Sequence, residues 1–476
     1  MDPNPAQRAG GVELRSIDYV QEHERHGKVS DQGRFWFLNN FQVFAIAIGF
    51  IGPSLGLSLA YTALAATLGT IIGTTCQAFH ASQGPEMGLP QMIQSRAQFG
   101  YRGVIVPLIA TLISLVGYNV VSTILVADGS TALWGANRLV TTLAVSMLAA
   151  GLAIWGYDWL HRVFKILFWL SLPLFSLLSV AVLFGKAGGA AHVQGHWSLV
   201  AFGTQLASAV SYNVTCAPQV SDYSRYLPSR TPRSQVIAHV FLGSAVSAIW
   251  LIVLGAWLAT HLSSQDALLA VQQAGNLLQS GFGSLLAAVS IAALVAGIGA
   301  TTYSAALVLI STVDSLRAVR PTRSLRVIVT LGLMVVSGGL AASPSGNAVT
   351  YVNAMLVMML YFLMPWTAVN LVDYFLVRRG RYSIVDLFKA NGIYGAWGAR
   401  GLVAYAVGFS VSIPFFVVPG VYTGQFAARF GGVDFGWLVG GLAAAATYLL
   451  LSRRFDGATE AGAVAASATA LRQVLE

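Results

Sequence analysis

Apolar residues recur along the chain in runs of about 20, the length that an α-helix needs to cross the hydrocarbon core of a bilayer. Short polar segments separate these runs and carry most of the charged residues. The pattern predicts an all-α integral membrane protein with twelve transmembrane helices, numbered here as spans 1 to 12. Their predicted bounds are 35–59, 61–83, 104–133, 138–156, 163–185, 199–219, 236–261, 282–310, 325–343, 348–377, 401–419 and 433–452.

Polar residues interrupt spans 1 and 6. Span 1 contains Asn39, Asn40 and Gln42, and span 6 contains the polar run 211–215 followed by Pro218. Proline removes a backbone donor and asparagine competes with helical hydrogen bonds, so both helices are expected to break. Backbone freed in this way must be buried in protein or line a cavity. Matching breaks five spans apart predict two inverted repeats of five helices with the substrate site between them. For either break alone, a local kink filled by a neighbouring helix is the alternative.

Composition excludes the soluble classes of protein. Only 9% of the residues are charged and 56% are hydrophobic, whereas a soluble chain carries about 25% charged residues. The two cysteines, Cys76 and Cys216, both lie in apolar runs, which argues against a disulfide framework or a metal site.

The net charge of +9 reflects orientation in the membrane rather than binding to nucleic acid. With both termini in the cytoplasm, all but Arg138, Lys186 and Arg429 of the 27 lysines and arginines fall on the cytoplasmic side, as the positive-inside rule requires. We therefore expect a plasma-membrane protein of the bacterial inner-membrane type. Its predicted parts are a cytoplasmic tail 1–34, a transmembrane domain 35–452 (repeats 35–185 and 199–377, extra helices 401–452) and a cytoplasmic tail 453–476.

Motifs around span 10 are the most specific feature of the sequence. They are Pro365-Trp366, then Asp373-Tyr374-Phe375-Leu376-Val377-Arg378-Arg379, Asp386-Leu387-Phe388 and Gly392-Ile393-Tyr394. Others are Trp36-Phe37 and Gln42-Val43 in span 1, Arg96, Phe99-Gly100-Tyr101-Arg102-Gly103 and Pro107 near span 3, and Asp222-Tyr223-Ser224-Arg225-Tyr226-Leu227-Pro228 after span 6. In this order, they resemble the nucleobase–cation symporter family, which includes hydantoin, allantoin, cytosine and fungal purine–cytosine permeases.

The resemblance implies the leucine-transporter fold, alternating access, a substrate site between spans 1, 3, 6 and 8, and span 10 as a gate. It implies a secondary active symporter, not an enzyme, that imports a nucleobase or related planar nitrogen heterocycle, of the cytosine or purine type. The alternative is a hydantoin, allantoin, uracil or pyrimidine-vitamin-precursor permease with sodium coupling. The expected partners are the heterocycle, the lipid bilayer and a co-transported proton or sodium ion, with no other cofactor, no metal site and no nucleic acid.

A planar heterocycle presents faces that stack on aromatic rings and an edge that needs hydrogen-bond donors and acceptors. Gln42 matches the family's substrate amide in span 1, and Tyr118 matches its stacking aromatic in span 3. Span 6 departs from the family pattern, because Asn213 occupies the second stacking position. Either the adjacent Tyr212 supplies the second ring, or the stack is one-sided. The predicted substrate-binding residues are Gln42, Tyr118, Asn119, Ser122, Tyr212, Asn213 and Thr302.

The coupling ion depends on how span 8 is aligned with the family. Sodium-coupled relatives use backbone oxygens of span 1, here those of Leu38 and Phe41, together with hydroxyl groups of span 8. One alignment puts Ala296 and Gly297 at the hydroxyl positions, so the sodium site is lost and Thr302 faces the substrate. The other alignment keeps the site through Thr301 and Thr302. We favour the first alignment and hence proton coupling.

Proton coupling often needs a titrating group, and the chain has no glutamate between residues 87 and 459. The intramembrane candidates are His80 in span 2 and Asp128 in span 3, with interfacial polar residues as the alternative. Asp222, Pro365 and Asp373 are interpreted as elements of the inner end or gate. The segment 84–103 is expected to lie along the membrane surface.

Three other classes fit less well. An amino-acid carrier of the same fold lacks the span 10 motifs and would have a glycine-rich break in span 1. A membrane enzyme would cluster acidic residues or histidines at one interface. A channel would show rings of charge or repeated filter segments.

Overall fold

The computed structural model describes residues 16–186, 195–262, 264, 266–320, 322–342 and 348–473. Within them, each predicted span corresponds to a helix or to a broken pair of helices. Eight helices are long and apolar enough to cross a membrane, a bent pair in span 1 makes a ninth, and two of the others are shorter apolar helices. These findings confirm the all-α membrane class.

The helices that form the spans differ from the predicted bounds mainly at their ends. In chain order they are Val29–Asn40 with Val43–Gly49 and Ile51–Ser54, Leu59–Ala81, Ile105–Trp134, Arg138–Trp155, Tyr157–Leu183, Leu199–Val214 with Ala217–Ser224, Arg233–His261, Phe282–Leu316, Arg323–Ala342, Ala348–Val372 extended by a π-helical turn Asp373–Val377, Ala399–Ser412 with Ile413–Phe415, and Gly436–Leu451.

Shorter elements fill the connections. They are the helices or helical turns Glu22–Glu24, Gln83–Met87, Gln91–Gln94, Arg96–Phe99, Ala267–Leu278, Val385–Phe388, Gln425–Arg429 and Ala458–Gln473, and an antiparallel pair of strands, Val417–Val418 and Tyr422–Thr423.

Span 1 is broken where its polar residues lie. Its first helix ends at Asn40, Gln42 adopts an extended backbone (φ −134°, ψ 158°), and the second part begins at Val43 at an angle of 55° to the first. The first helix begins at Val29, so the last six residues of the predicted tail 1–34 belong to it.

Span 6 is broken between Val214 and Ala217. Pro218 lies in the first turn of the second helix, where the missing backbone donor costs no helical hydrogen bond. The second helix continues to Ser224, beyond the predicted end at 219. The proline therefore marks the start of a new helix and not a kink within one.

Small residues let the broken helices approach their neighbours closely. Gly255 of span 7 lies directly on the backbone of span 1 at Ile46, and Gly73 of span 2 lies on the backbone of span 6 at Val210. A side chain at either glycine would hold the helices apart. Span 1 of the first repeat thus packs on span 7, and span 6 of the second repeat packs on span 2, as two interlocked inverted repeats would.

The segment 84–103 does not lie along a surface. Its three short helices are buried almost throughout, and Arg96 pairs with Asp314 of span 8 at 2.8 Å and also donates to the Leu387 carbonyl. The expectation of a surface segment was wrong, because the glutamines that make the segment polar find buried partners. Gln91 donates to Gln83, Gln94 to the Leu89 carbonyl and Gln98 to Asp373. We call this end of the bundle, which carries Arg96, Arg225 and Arg378, the basic end.

Candidate functional site

Three aromatic rings meet beside the break in span 1. Phe44 of span 1 lies 4.8 Å from Tyr118 of span 3 and 5.6 Å from Tyr212 of span 6, measured between ring centroids. The ring planes are nearly parallel, with angles of 24° and 7°. All three side chains are buried. The structure therefore brings both predicted tyrosines to the same place and adds Phe44, which the sequence reasoning missed.

Gln42 lies next to this stack of rings. Its Oε1 accepts a hydrogen bond from the Tyr118 hydroxyl at 3.1 Å, and its Nε2 has no partner among the described residues. Gly297 of span 8 faces the amide so closely that an added Cβ would overlap it. The site thus contains a buried amide donor that is available to a ligand, and a glycine that leaves room for it.

A second pair of amides connects the two breaks. Asn40 Nδ2 donates to Asn213 Oδ1 at 2.6 Å, and the Tyr212 hydroxyl donates to the Asn40 carbonyl at 3.3 Å. Asn213 Nδ2 is buried and has no partner in the part of the chain that the structure describes. Just before the break in span 6, Tyr212 faces the rings while Asn213 faces Asn40 of span 1.

Asn119 and Thr302 contact each other rather than the rings. Asn119 Nδ2 donates to Thr302 Oγ1 at 2.9 Å, and the same hydroxyl contacts Met334 Sδ at 3.1 Å. Thr302 therefore faces spans 3 and 9. Asn119 Oδ1 and Ser122 Oγ are buried without partners among the described residues.

Neither proton-coupling candidate lies among the rings. Asp128 pairs with Arg138 at 2.6 Å, about 15 Å along span 3 from Tyr118 at 1.5 Å per residue. His80 is buried, stacks on Trp366 of span 10 at 4.6 Å, and shares a hydrogen bond with Gln91 through Nδ1. Of the two, His80 is the one embedded between spans.

A chain of buried amides runs across the basic end from span 6 to span 10. The Asp222 carboxylate accepts from the Gln91 backbone at 3.1 Å. The amides then follow one another from Gln91 to Gln83, Asn370 and Gln98. Gln98 donates to Asp373 at 2.6 Å. The two predicted gate carboxylates are thus connected, and Pro365 lies inside the same helix as Asn370.

Asp373 holds the end of span 10. It pairs with Arg378 at 2.7 Å and accepts hydrogen bonds from the hydroxyls of Tyr382 and Tyr448, each at 2.8 Å. Burial, together with the Asp373 charge, raises the pKa of Tyr382 well above its ordinary value, so its hydroxyl remains a donor. Arg378 also binds both carboxylate oxygens of Glu460.

We expect Asp373→Asn to lower stability by on the order of 3 kcal/mol, because each Asp373 carboxylate oxygen accepts from two buried donors, and the amide NH2 group that replaces one oxygen leaves its two donors without an acceptor. The measurement is the apparent melting temperature in detergent, which should fall clearly. Asp386→Asn is the matched control. Among the described residues, the Asp386 carboxylate accepts a hydrogen bond from Ser383 and pairs with the exposed Lys389. Equal melting temperatures for the two variants would contradict the importance of Asp373.

Sequence reasoning missed Phe44, Asn40 and Asp314 as contributors, and it named Gly297 only as a position of the lost sodium site, not as a neighbour of the Gln42 amide. Asn40 belonged to the recognised polar run, and Phe44 follows Gln42 in the first turn after the break, so position relative to the break was an available signal. Gly297 and Asp314 depend on which face of span 8 meets span 1 and the 84–103 segment, which a single sequence does not show.

A bundle with two broken helices and a ring-lined site between them defines a membrane transporter of the inverted-repeat class. A family model described as permease for cytosine/purines, uracil, thiamine, allantoin matches residues 19–440, and the chain belongs to this family. A Bacillus subtilis (strain 168) protein named "Putative purine-cytosine permease YxlA" is 32% identical over 445 residues, 93% of this chain and 96% of that protein. The purine-cytosine permease fcyB of Emericella nidulans is 24% identical over 92% of this chain and 88% of its own.

Solved structures show the same fold. Mhp1, a nucleobase-cation-symport-1 family transporter in a closed conformation with bromovinylhydantoin bound, superposes with a TM-score of 0.73 at 18% identity, covering 95% of each chain. A Na⁺-coupled sialic acid symporter superposes with a TM-score of 0.60 at 14% identity, covering 93% of each chain. The predicted family and leucine-transporter fold are confirmed, and the family's members are permeases, not enzymes.

Proposed function

We propose that this protein is a secondary active symporter that imports a nucleobase-type heterocycle, cytosine or a purine, together with a proton. One observation carries the proposal: tyrosines from spans 3 and 6 meet the broken part of span 1 beside a buried amide donor without a partner. Aromatic faces bind the planar ring, and the amide binds its edge.

The stack of rings supplies the binding surface. Phe44 packs on both Tyr118 and Tyr212, so a planar substrate takes over the contacts that Phe44 makes here. Phe44 lies in the first turn of the second part of span 1, Val43–Ser54, directly after the break, so a movement of this part relative to Val29–Asn40 moves Phe44 against the two tyrosines. Substrate entry and the movement of Phe44 are therefore coupled.

The edge of the substrate pairs with buried polar atoms that lack partners in the described structure. Gln42 Nε2 and Asn213 Nδ2 are donors. Close to Tyr118 in the sequence, Asn119 Oδ1 is an acceptor and the Ser122 hydroxyl can donate or accept. A buried polar group without a partner costs about 1–3 kcal/mol. A heterocycle with alternating ring nitrogens and exocyclic groups removes that cost, whereas an apolar ring does not.

The packing of span 8 supports proton coupling. Gly297, which has no side-chain oxygen, faces the break in span 1 at Gln42, and Thr302 faces Asn119 and Met334. This arrangement favours the alignment in which Ala296 and Gly297 replace the sodium-binding hydroxyls, over the site of Leu38, Phe41, Thr301 and Thr302. His80 is the preferred proton carrier, because it contacts span 10 directly and Asp222 through Gln91, and Asp128 is the second candidate.

In the proposed orientation the basic end faces the cytoplasm, as the distribution of arginines requires. Pro365 and Asp373 then lie on the inner gate of span 10, and Asp222 lies at the inner end of span 6. The amide chain between Asp222 and Asp373 closes this end. Alternating access exchanges this closure for one at the opposite end.

The test is uptake into proteoliposomes of labelled cytosine, adenine, hypoxanthine, uracil, hydantoin, allantoin and a pyrimidine vitamin precursor, under separate proton and sodium gradients. We expect cytosine or a purine to accumulate with the proton gradient alone, at least about tenfold above liposomes without protein. Accumulation that requires sodium would support the Thr301–Thr302 alignment instead. If no ring moves under either gradient, the proposed substrate class is wrong.

A further inference from the structure

A cavity of about 850 Å³ lies at the basic end between spans 10 and 12 and the C-terminal helix Ala458–Gln473. It is separate from the ring-lined site. Its lining combines two kinds of side chain. The basic ones are Arg378, Arg379, Arg381 and Arg453, and the apolar ones used below are Leu376, Leu449 and Val464.

The cavity carries uncompensated positive charge. Its acidic lining residue, Glu460, is already bound through both oxygens to Arg378, which also pairs with Asp373. Arg379, Arg381 and Arg453 are exposed, and none of them makes an ion pair with a residue that the structure describes. Three guanidinium groups without acidic partners are suited to a phosphate, which they bind through paired N–H groups.

The backbone at the rim is strained. Arg379 has a φ of 52°, the one positive value at a non-glycine residue in the described part of the chain. This left-handed conformation costs a side-chain-bearing residue about 1–2 kcal/mol, and such strain tends to be retained at binding sites. The turn that places Arg379 and Arg381 immediately after span 10 is therefore a specific feature of the fold.

The apolar wall of the cavity lies at the ends of two spans. Leu376 is in the last turn of span 10 and Leu449 is in the last turn of span 12, and they are 56% and 40% exposed. Large exposed apolar side chains at the ends of spans contact acyl chains, while arginines just beyond the ends lie among the headgroups. A soluble phosphate compound would use the arginines but leave these leucines without a partner.

We propose that this cavity binds an anionic phospholipid, with its phosphate on Arg379, Arg381 and Arg453 and its acyl chains on Leu376 and Leu449. The lipid also contacts Val464 of the C-terminal helix. It therefore bridges that helix to the end of span 10 and reinforces the contacts of Glu460 with Arg378. This site is independent of the identity of the transported ring.

The test is native mass spectrometry of the purified full-length chain in detergent, titrated with phosphatidylglycerol or phosphatidylcholine. We expect one phosphatidylglycerol to bind at least about tenfold more tightly than phosphatidylcholine. The triple variant R379Q/R381Q/R453Q should lose this preference. The double variant R381Q/R453Q should reduce the preference for phosphatidylglycerol at least threefold. Because it leaves Arg379 unchanged, its result does not depend on whether a substitution at that strained position disturbs folding.

The matched control is R317Q/R320Q/R323Q, which removes the same charge from exposed positions at the same end and should bind phosphatidylglycerol as the unmodified protein does. Equal loss in this control would overturn the proposal in favour of general charge attraction. In a further arm, millimolar inorganic phosphate should not displace the bound lipid. Full displacement would identify the site as one for a soluble phosphate compound instead.

Discussion

Alanine in place of Tyr118 is expected to reduce heterocycle uptake about a hundredfold at matched abundance in the membrane. The ring contributes its buried apolar area, worth about 1.5–3 kcal/mol, and a stacking term of about 0.5–1.5 kcal/mol. Each 1.4 kcal/mol corresponds to a factor of ten. The loss should appear mainly as a higher KM, because the substrate loses a binding surface.

Two further variants distinguish a role in binding from a role in packing. Tyr118→Phe keeps the ring and removes only the hydrogen bond to Gln42, worth about 0.5–1.5 kcal/mol, so KM should rise by about tenfold or less. Tyr351→Ala removes an exposed tyrosine from span 10 and should leave uptake unchanged. Near-normal uptake by Tyr118→Ala, in protein that elutes as a single species, would remove Tyr118 from the site.

Much of the architecture could be predicted because membrane burial acts on whole helices. Runs of apolar residues mark the spans, and the breaks follow from local chemistry at Asn39, Asn40 and Pro218, which does not depend on distant residues. The alternation of basic segments supports the same division. These signals survive in a single sequence because each is contained within one helix or one loop.

The segment 84–103 was misplaced because hydropathy treats every glutamine as solvated. Gln83, Gln91 and Gln98 are buried and satisfy their amides with one another, with Asn370 and with Asp373. Whether a polar side chain finds such partners depends on contacts between residues far apart in the sequence. The tail after Arg454 was expected to be weakly helical, but its attachment was not predicted: Glu460 of the helix Ala458–Gln473 binds Arg378.

The side-chain directions in span 6 could not be predicted for the same reason, because they depend on contacts between distant parts of the chain. The sequence left open whether Tyr212 or no residue provides a second ring, since Asn213 occupies the expected position. In the structure Tyr212 is near parallel to Phe44, and Asn213 bonds to Asn40. Adjacent positions on a helix differ by about 100° in direction, and both residues precede the break after Val214. The rotation of the helix Leu199–Val214 about its own axis therefore decides which of the two faces the rings.

Gly297→Ala is expected to raise the KM for uptake by at least about tenfold without lowering stability. An added Cβ would overlap the Gln42 amide, and the flexible end of that side chain is the part that gives way. The Gln42 amide then loses its hydrogen bond with the Tyr118 hydroxyl and no longer reaches the edge of the substrate. Alanine is the better helix former by about 1 kcal/mol, so span 8 itself should not be weakened.

Gln42→Ala should raise the KM for uptake directly by at least about tenfold, and the KM of the double variant Gly297→Ala/Gln42→Ala should be no higher than that of Gln42→Ala alone. This non-additivity follows because the glycine acts only through the amide that the second change deletes. Gly332→Ala is the matched control, since an added Cβ there meets nothing within 4 Å in span 9. Independent, multiplying losses in the double variant would show that Gly297 serves another part of the site. A normal KM for Gly297→Ala would mean that span 8 does not constrain Gln42 during transport, and it would remove the packing argument for proton coupling.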